Sequence, residues 1–501
     1  MDIDFEKPAR LEKTFIKSKI VNGYEAELSK WIDKEKAAIE LVKIIGHLFY
    51  DKSVELVIFR NRLVDRRASQ ILIFHEYARN IVKQPVTVHD SLLLAKEISN
   101  LDMPPAWIDI GRLGAEWLKE GNDFNSAAEF INDKLAEIVG RDKNYLKPKD
   151  VVLYGFGRIG RLIARELIVQ SGQGRQLRLR AIVTRNNSDE DIIKRAALLR
   201  TDSVHGQFPG TVIEDMENKA LIINGHTIKM LAGDNPSEID YEAHNISDAL
   251  LIDNTGIYRD RTGLGSHLKA KGISKVLLTA PGKGDIPNIV HGVNHANIDI
   301  KEESIYSAAS CTTNAIVPVL YVIQNTLGIS VGHIETIHSY TNDQNLLDNY
   351  HKKHRRGRSA ALNMVITETG AAKASAKAIP CLEGKLTASA VRVPTPNVSL
   401  AILRLTVEKE TNKEHINQIL KDAALQGDLV EQIQYSYSDE LVSSDIIGNP
   451  CAAIFDSPST IVSKDNKNIV LYVWYDNEYG YSRQVIRLAK YISNVVRLKY
   501  N

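Results

Sequence analysis

From Ala26 to Gly140 apolar residues recur every three or four positions, as in Leu41, Ile44, Ile45 and Leu48, or Ile71, Phe74, Ala78 and Ile81. That period gathers them on one face of a helix, so the pattern predicts an all-helical unit. Ser126 and Glu129 have the spacing of a capping box ahead of Phe130, Ile131, Leu135 and Ile138, and Gly140 supplies a stop for this last helix. The charged block Arg141 to Asp150, which contains Pro148, predicts a linker. Beyond it the pattern changes. Short apolar runs that end in turn residues (VVLYGF, LRLRAIV, LLIDNTG, KVLLTAPG) alternate with helical stretches, as expected of a mostly parallel sheet with helices on both faces. After Cys311 the runs lengthen, as in SLAILRLTVE and NIVLYVWYD, and an amphipathic helix follows from about Tyr481. The expected organisation is a helical unit over 1–145, an α/β unit over 146–310 completed by 478–501, and an α+β unit over 311–477.

Composition narrows the function. The chain has 501 residues, enough for several domains without disulfide or metal staples. Its 63 Lys+Arg against 62 Asp+Glu give no basic surplus, so no nucleic-acid partner is expected. Cys311, Cys381 and Cys451 are widely spaced without a CxxC pair, which supports neither a disulfide framework nor a metal site and fits a reducing compartment. Cys381 and Cys451 sit among apolar neighbours and are expected to be structural. The N-terminal MDIDFEKPARLEKTF lacks the apolar core of a signal peptide, and the longest apolar run, Ala315 to Ile323, contains Pro318. A cytoplasmic protein without a membrane span is the expectation.

Two segments carry chemistry. Gly155-Phe-Gly157-Arg158-Ile159-Gly160 follows a predicted strand and opens a predicted helix. Glycines there allow a tight turn and let backbone approach a pyrophosphate, which would lie on the unpaired N–H groups of the helix start. The simpler reading is a glycine-rich turn without a ligand. At the end of LRLRAIV, where an NAD-binding fold usually has an acidic residue for the ribose hydroxyls, stand Thr184-Arg185-Asn186-Asn187. A guanidinium there favours a 2′-phosphate, hence NADP or mixed use, unless Arg185 is merely a solvated surface residue. The second segment, Ser310-Cys311-Thr312-Thr313-Asn314, precedes an apolar helical run. A cysteine at a helix N-terminus is expected to have a lowered pKa and to act as a nucleophile.

With GFGRIGR, DSVHG, ASCTTN, HSYTNDQ, TGAAKA, RVPTPNVS and WYDNEYGYS in this order, the chain from about residue 150 resembles phosphorylating glyceraldehyde-3-phosphate dehydrogenases. Its N-terminal extension resembles that of a long bacterial form. The resemblance implies a Rossmann-type domain plus an α+β catalytic domain, NAD or NADP as cofactor, a homotetramer, and a sugar phosphate and inorganic phosphate as ligands. It implies Cys311 as nucleophile and His338 as general base. It puts Thr341 and Arg392 on the substrate phosphate, and Ser310, Thr312, Thr369, Gly370 and Arg355 on the attacking phosphate, with Arg358 as alternative to Arg355. Arg158 and Ile159 would meet the cofactor pyrophosphate, Thr279 would lie near the nicotinamide, and Asn477 would anchor its amide with Tyr481 nearby. The basic stretch HKKHRRGR would be the loop that reaches a neighbouring subunit's cofactor.

The sequence departs from the family pattern at Tyr154, at Arg185, in Asn254-Thr255-Gly256, and at Ala315 in place of a second cysteine. Cofactor preference is what these departures open. Two other functions stay in view: an erythrose-4-phosphate dehydrogenase of the same family, in which water cleaves the thioester, and a non-catalytic nucleotide-binding regulatory protein.

Overall fold

The computed structural model describes residues 23–500, so the N-terminal MDIDFEKPARLEKTF lies outside the described residues. The chain divides into two compact units that meet in sequence at Arg141 and Asp142.

The first unit is built on α1 (Tyr24–Lys52), which buries Ala37, Ala38, Leu41, Ile45, Leu48 and Phe49 along one face. It is mainly helical, with α2 (Ala68–Tyr77), α3 (Val88–Asn100), α4 (Ile110–Glu120) and α5 (Ala127–Lys134). It is not purely so: β1 (Val54–Ile58), β2 (Asn61–Arg62) and β3 (Ala106–Asp109) form a small sheet that the helical period did not predict. All residues of β1 and β3 are buried, and a strand covered on both faces shows no alternation by which to distinguish it from a helix segment. Phe59 and Arg60 join β1 to β2 with φ of 41° and 69°. The Asp109 carboxylate, capping α4, accepts from the Phe59, Gly111 and Arg112 N–H groups, while burial pushes its pKa up to about 6. At α5 Ser126 accepts from the Glu129 N–H, but the Glu129 carboxylate reaches Asn125, so only half of the predicted box forms. α5 ends at Lys134, and a run of turns leads to Gly140 at φ 76°.

In the second unit the expected linker is shorter, because Lys149 and Asp150 already belong to β4 (Lys149–Tyr154). There follow α6 (Arg158–Val169), β5 (Leu177–Thr184), α7 (Asp189–Arg200), the short ladder β6 (Thr201–Asp202) and β7 (Gly206–Gln207), then β8 (Val212–Asp215), β9 (Ala220–Ile223), β10 (His226–Ala232), β11 (Ala249–Asp253), α8 (Arg261–Gly265), β12 (Ile273–Leu278) and β13 (Ile305–Ser307). The sheet order is β13-β12-β11-β4-β5-β10-β9-β8, parallel from β13 to β10. The order reverses direction at β4, and its carboxyl end leads into the glycine turn, the usual ligand crevice of such sheets.

Then come α9 (Cys311–Leu327), β14 (Ile329–Ser339), β15 (Val365–Thr367), α10 (Ala371–Ala378), β16 (Leu386–Val393), β17 (Ser399–Val407), α11 (Lys413–Leu425), β18 (Ile433–Ser436), β19 (Ala453–Asp456), β20 (Ile461–Val462), β21 (Asn468–Tyr475) and α12 (Tyr479–Ile492). The second sheet runs β15-β16-β14-β17-β21-β19-β18. On β17 and β21 buried residues alternate with less buried ones, the mark of a sheet covered on one face. α9 packs on that face and is buried from Thr312 to Leu320. Pro318 within it costs about 3 kcal/mol of helix propensity, against about 1.5–3 kcal/mol for each Val, Leu or Ile buried around it. α12 returns to the first sheet, where Tyr481, Val485, Ile486, Leu488, Ala489 and Ile492 join the core of Val151, Leu153, Ile163 and Leu250. Cys451 is buried as expected, but Cys381 is exposed, because only Leu382 of its short turn faces the core.

Candidate active site

Three elements converge at Cys311. It is the first residue of α9, with Ser310 as cap: the Ser310 hydroxyl accepts from the Thr313 N–H at 3.0 Å. Cys311 is half-buried and packs against the cores on both sides. β14 ends at His338 and Ser339, and the parallel register of β14 on β16 sets His338 beside Arg392. The distance from Cys311 Sγ to His338 Nε2 is 3.6 Å. His338 Nδ1 lies 2.7 Å from the Ser339 carbonyl oxygen and 2.6 Å from Arg392 Nη1, which itself donates to that oxygen at 2.7 Å. The Ser339 carbonyl and the Arg392 N–H compete for Nδ1: the tautomer with Nδ1–H donating to Ser339 leaves Nε2 a lone pair toward the sulfur, the one accepting from Arg392 does not.

Burial and the Arg392 cation together push the His338 pKa down to about 3. The expected lowering at Cys311 is not what the site gives. Burial pushes the thiol up, and the opposing pull of Arg392 and of the N–H groups at the helix start is smaller. A helix terminus stabilises a thiolate chiefly where water also solvates it, and here packing removes that solvation. Near neutral pH the pair therefore rests as thiol and neutral imidazole. A neutral imidazole facing a thiol is competent to take its proton.

The phosphate residues divide. Thr341 is half-buried and its hydroxyl has no hydrogen-bond partner among the described residues. Thr369 accepts from the Ala371 N–H at the start of α10, where Gly370 is exposed. The Thr312 hydroxyl shares a 3.0 Å hydrogen bond with Tyr475, which leaves its N–H for an anion and, where Tyr475 donates, its hydroxyl hydrogen as well. Arg355 is exposed and Arg358 pairs with Asp348, whereas the residue between them in the loop, Arg356, turns inward. Arg356 donates to Thr367 at 2.8 Å, pairs with Asp343, and adds its charge to the field that lowers His338 and Arg392. The phase of the 3-10 turn His354–Gly357 decides which arginine faces in, and the run RRGR does not show that phase.

At the nucleotide turn Gly155 has φ 92°, and a Cβ on Gly160 would stand 2.5 Å from the Gly155 carbonyl oxygen, so only glycine fits there. Gly157 caps α6, leaving the N–H groups of the first turn open. Beside the turn the Asn254 Oδ1 is buried without a partner. These features fit a dinucleotide pyrophosphate. The Arg158 guanidinium does not share in it, being held by Glu478 and Asp202, with His205 on the same Glu478. What Arg158 and Ile159 offer a pyrophosphate is backbone. Thr279 is tied to the Asp253 carbonyl. Asn477 is buried, and its Oδ1 accepts from Ser339 and Ser399 at 2.8 and 2.9 Å, which fixes the amide with its NH₂ free to donate. Tyr481 donates to the Ala309 carbonyl, two residues before Cys311.

At the end of β5 Arg185 is exposed, with no partner among the described residues. Asn187 is occupied with the Met230 carbonyl and Asn186 with the Ser188 N–H, so neither side chain is as free as Arg185. Among the described residues no group of His, Cys, Asp and Glu could hold a metal, and no helix is long and apolar enough to cross a membrane.

Tyr475, not singled out from sequence, sets its ring edge-on to His338 and bridges Thr312 and Thr336 through its hydroxyl. Its place in WYDNEYGYS was the available signal.

The models for "Glyceraldehyde 3-phosphate dehydrogenase, NAD binding domain" and "Glyceraldehyde 3-phosphate dehydrogenase, C-terminal domain" match residues 149–261 and 310–477. A "Glyceraldehyde-3-phosphate dehydrogenase-like protein" of Pseudomonas aeruginosa is 50% identical over 458 residues, 91% of this chain and 98% of that one. "Glyceraldehyde-3-phosphate dehydrogenase 2" of Trichormus variabilis is 42% identical over 343 residues, 68% of this chain and 98% of its own. "Glyceraldehyde-3-phosphate dehydrogenase" of Priestia megaterium is 39% identical over 339 residues, 68% of this chain and 96% of its own. A match of 458 residues necessarily takes in most of the first unit.

Proposed function

Because the chain belongs to the glyceraldehyde-3-phosphate dehydrogenase family, we propose that it catalyses the reversible, NAD(P)-dependent oxidative phosphorylation of glyceraldehyde 3-phosphate to 1,3-bisphosphoglycerate. The observation that carries this reading is Cys311 Sγ at 3.6 Å from His338 Nε2 with Arg392 alongside. His338 takes the thiol proton as the sulfur adds to the aldehyde carbon and returns it to the former carbonyl oxygen, giving a hemithioacetal with the imidazole neutral again. The Gly155–Gly160 turn and Asn477 would hold a nicotinamide cofactor, which would supply the hydride acceptor. As the hydride leaves C1, His338 Nε2 takes the hydroxyl proton of the hemithioacetal, and a thioester on Cys311 results. Inorganic phosphate then attacks the thioester carbonyl, and the sulfur leaves as the acyl phosphate forms.

Thr341 and Arg392 suit the substrate phosphate. Arg356, with the N–H groups of Thr312 and Gly370 and the hydroxyls of Ser310 and Thr369, suits the attacking phosphate in place of Arg355 or Arg358. A planar guanidinium donates two charge-assisted bonds to a phosphate. The free Arg185 favours NADP as cofactor at least as well as NAD. The exposed Leu346, Leu347, Tyr350, Leu362 and Met364 favour self-association, in line with a tetramer.

Turnover measured with NAD and with NADP, each with and without phosphate, tests the reading. Phosphate-dependent reduction of cofactor, with an acyl group on Cys311 when phosphate is omitted, is the expected result. Turnover indifferent to phosphate would favour hydrolytic oxidation of a related sugar phosphate, and absence of an acyl-cysteine would remove catalysis altogether.

A further inference from the structure

α1 has two parts. Its second half buries Leu41, Ile45 and Leu48, while every residue from Gly23 to Lys36 is exposed. Four turns of helix with no apolar packing are marginal in water, since helix stability comes mostly from a buried face. Yet this stretch has an apolar face. At about 100° per residue, Tyr24, Leu28, Trp31 and Ile32 fall on one side, Glu35 interrupts the stripe and Ile39 lies beyond it; Tyr24 is 81% exposed, Trp31 50% and Ile39 59%. This stripe lies about a third of a turn away from the face that α1 buries within its own unit.

The charges flanking the stripe are self-complementary. Glu25 and Lys36 lie along one flank, and Glu27 and Lys34 along the other. Glu25, Lys34 and Lys36 have no ion-pair partner among the described residues, and Glu27 has only Lys30 of its own helix, at 2.8 Å. Set antiparallel to itself about a two-fold axis near residues 30 and 31, the segment brings Glu25 opposite Lys36 and Glu27 opposite Lys34, each pair twice. A parallel pairing would instead set the acidic turn on the acidic turn and the basic on the basic, which is unfavourable. Symmetric contacts of one patch with itself are the commonest form of self-association.

We propose that residues 24–37 of α1 pair antiparallel with the same segment of a second copy of this chain, Leu28 and Trp31 forming the centre of the seam. A few large side chains per copy make a small interface, better caught by covalent capture than by dilution.

The test is a zero-length carbodiimide, which joins a carboxylate to an amine in contact, applied to the full-length protein and read by peptide mass spectrometry. Within one helix Glu25 and Lys36 are about 16 Å apart, beyond the reach of the two side chains, so a link between them forms only across two copies; Glu27 and Lys34, about 10 Å apart, count only together with that link. Glu25–Lys36 and Glu27–Lys34 links are expected, with the in-helix Glu27–Lys30 link as the reagent's control. Finding only the control link overturns the proposal. Links from Lys34 and Lys36 to carboxylates among residues 2–12 overturn it too, by making the chain's own N-terminal segment the occupant. The double change Leu28→Glu and Trp31→Glu should abolish the cross-copy links, leave the control link, and leave dehydrogenase turnover unchanged; cross-copy links that persist in it would show chance collision and overturn the proposal.

Discussion

The nucleotide turn and the catalytic cleft are built in opposite ways. From Gly155 to Gly160 the turn is one contiguous segment that offers backbone, its requirement being the absence of side chains. The cleft depends mainly on side chains, brought from the start of α9, the end of β14, the end of β16 and the end of β21, and packing there moves their titration. A site made of backbone fails by crowding. A site made of buried side chains fails when one charge in the set is removed.

Cys311→Ser should lower turnover on the order of 10⁴-fold or more while cofactor binding, followed by quenching of protein fluorescence, stays as it was. Loss of cofactor binding would mean that cleft and turn are not separable. His338→Asn should lower kcat by about 10²-fold or more, the scale of losing a general base, again with the turn unaffected.

Removing cleft charges comes next. Arg392→Gln should raise the KM for the aldehyde and Arg356→Gln the KM for phosphate, each by roughly ten- to a hundredfold, since a charged hydrogen bond contributes about 1.5–3 kcal/mol. Equal effects of both changes on both ligands would contradict the division of the two sites. Arg392→Gln has a second readout. Its cation now holds the thiol down against burial, so without it the thiolate fraction falls and alkylation of Cys311 at pH 8 should slow, with its rise shifted to higher pH. Faster alkylation would reverse the sign of the electrostatic account.

Gly160→Ala should act on the turn alone. Its Cβ would press on the Gly155 carbonyl, which is backbone and cannot yield, so about 1–3 kcal/mol of strain should appear as weaker cofactor binding with Cys311 alkylation unchanged. The smallest effect is expected at Arg185→Asp, which replaces a cation by a repelling anion and should shift the NADP to NAD ratio of kcat/KM about tenfold toward NAD. An unchanged ratio would place Arg185 outside the cofactor site.

Legibility follows the same division. The glycine turn, the strand–helix alternation and the Cys311 cap could be read from neighbouring residues, because each is settled within a few positions. Three features could not. β1 and β3 are covered on both faces and so lack a strand period. The inward turn of Arg356 rather than Arg355 depends on the phase of a loop against Thr367 and Asp343. Cys381 was expected inside, but one residue of phase in its turn leaves it exposed.

The strand–helix alternation beyond residue 150, the place of the glycine turn and the position of Cys311 at a helix start follow from the sequence, since ordered motifs and hydrophobic period are properties of residues close in the chain. Tertiary structure alone decided that the Cys311 thiol is held up and the His338 imidazole neutral. It also decided that Glu478 claims the Arg158 side chain and that Tyr475 bonds to the Thr312 hydroxyl. Desolvation and partner choice depend on atoms that arrive from distant segments, and no local pattern encodes which of them will arrive.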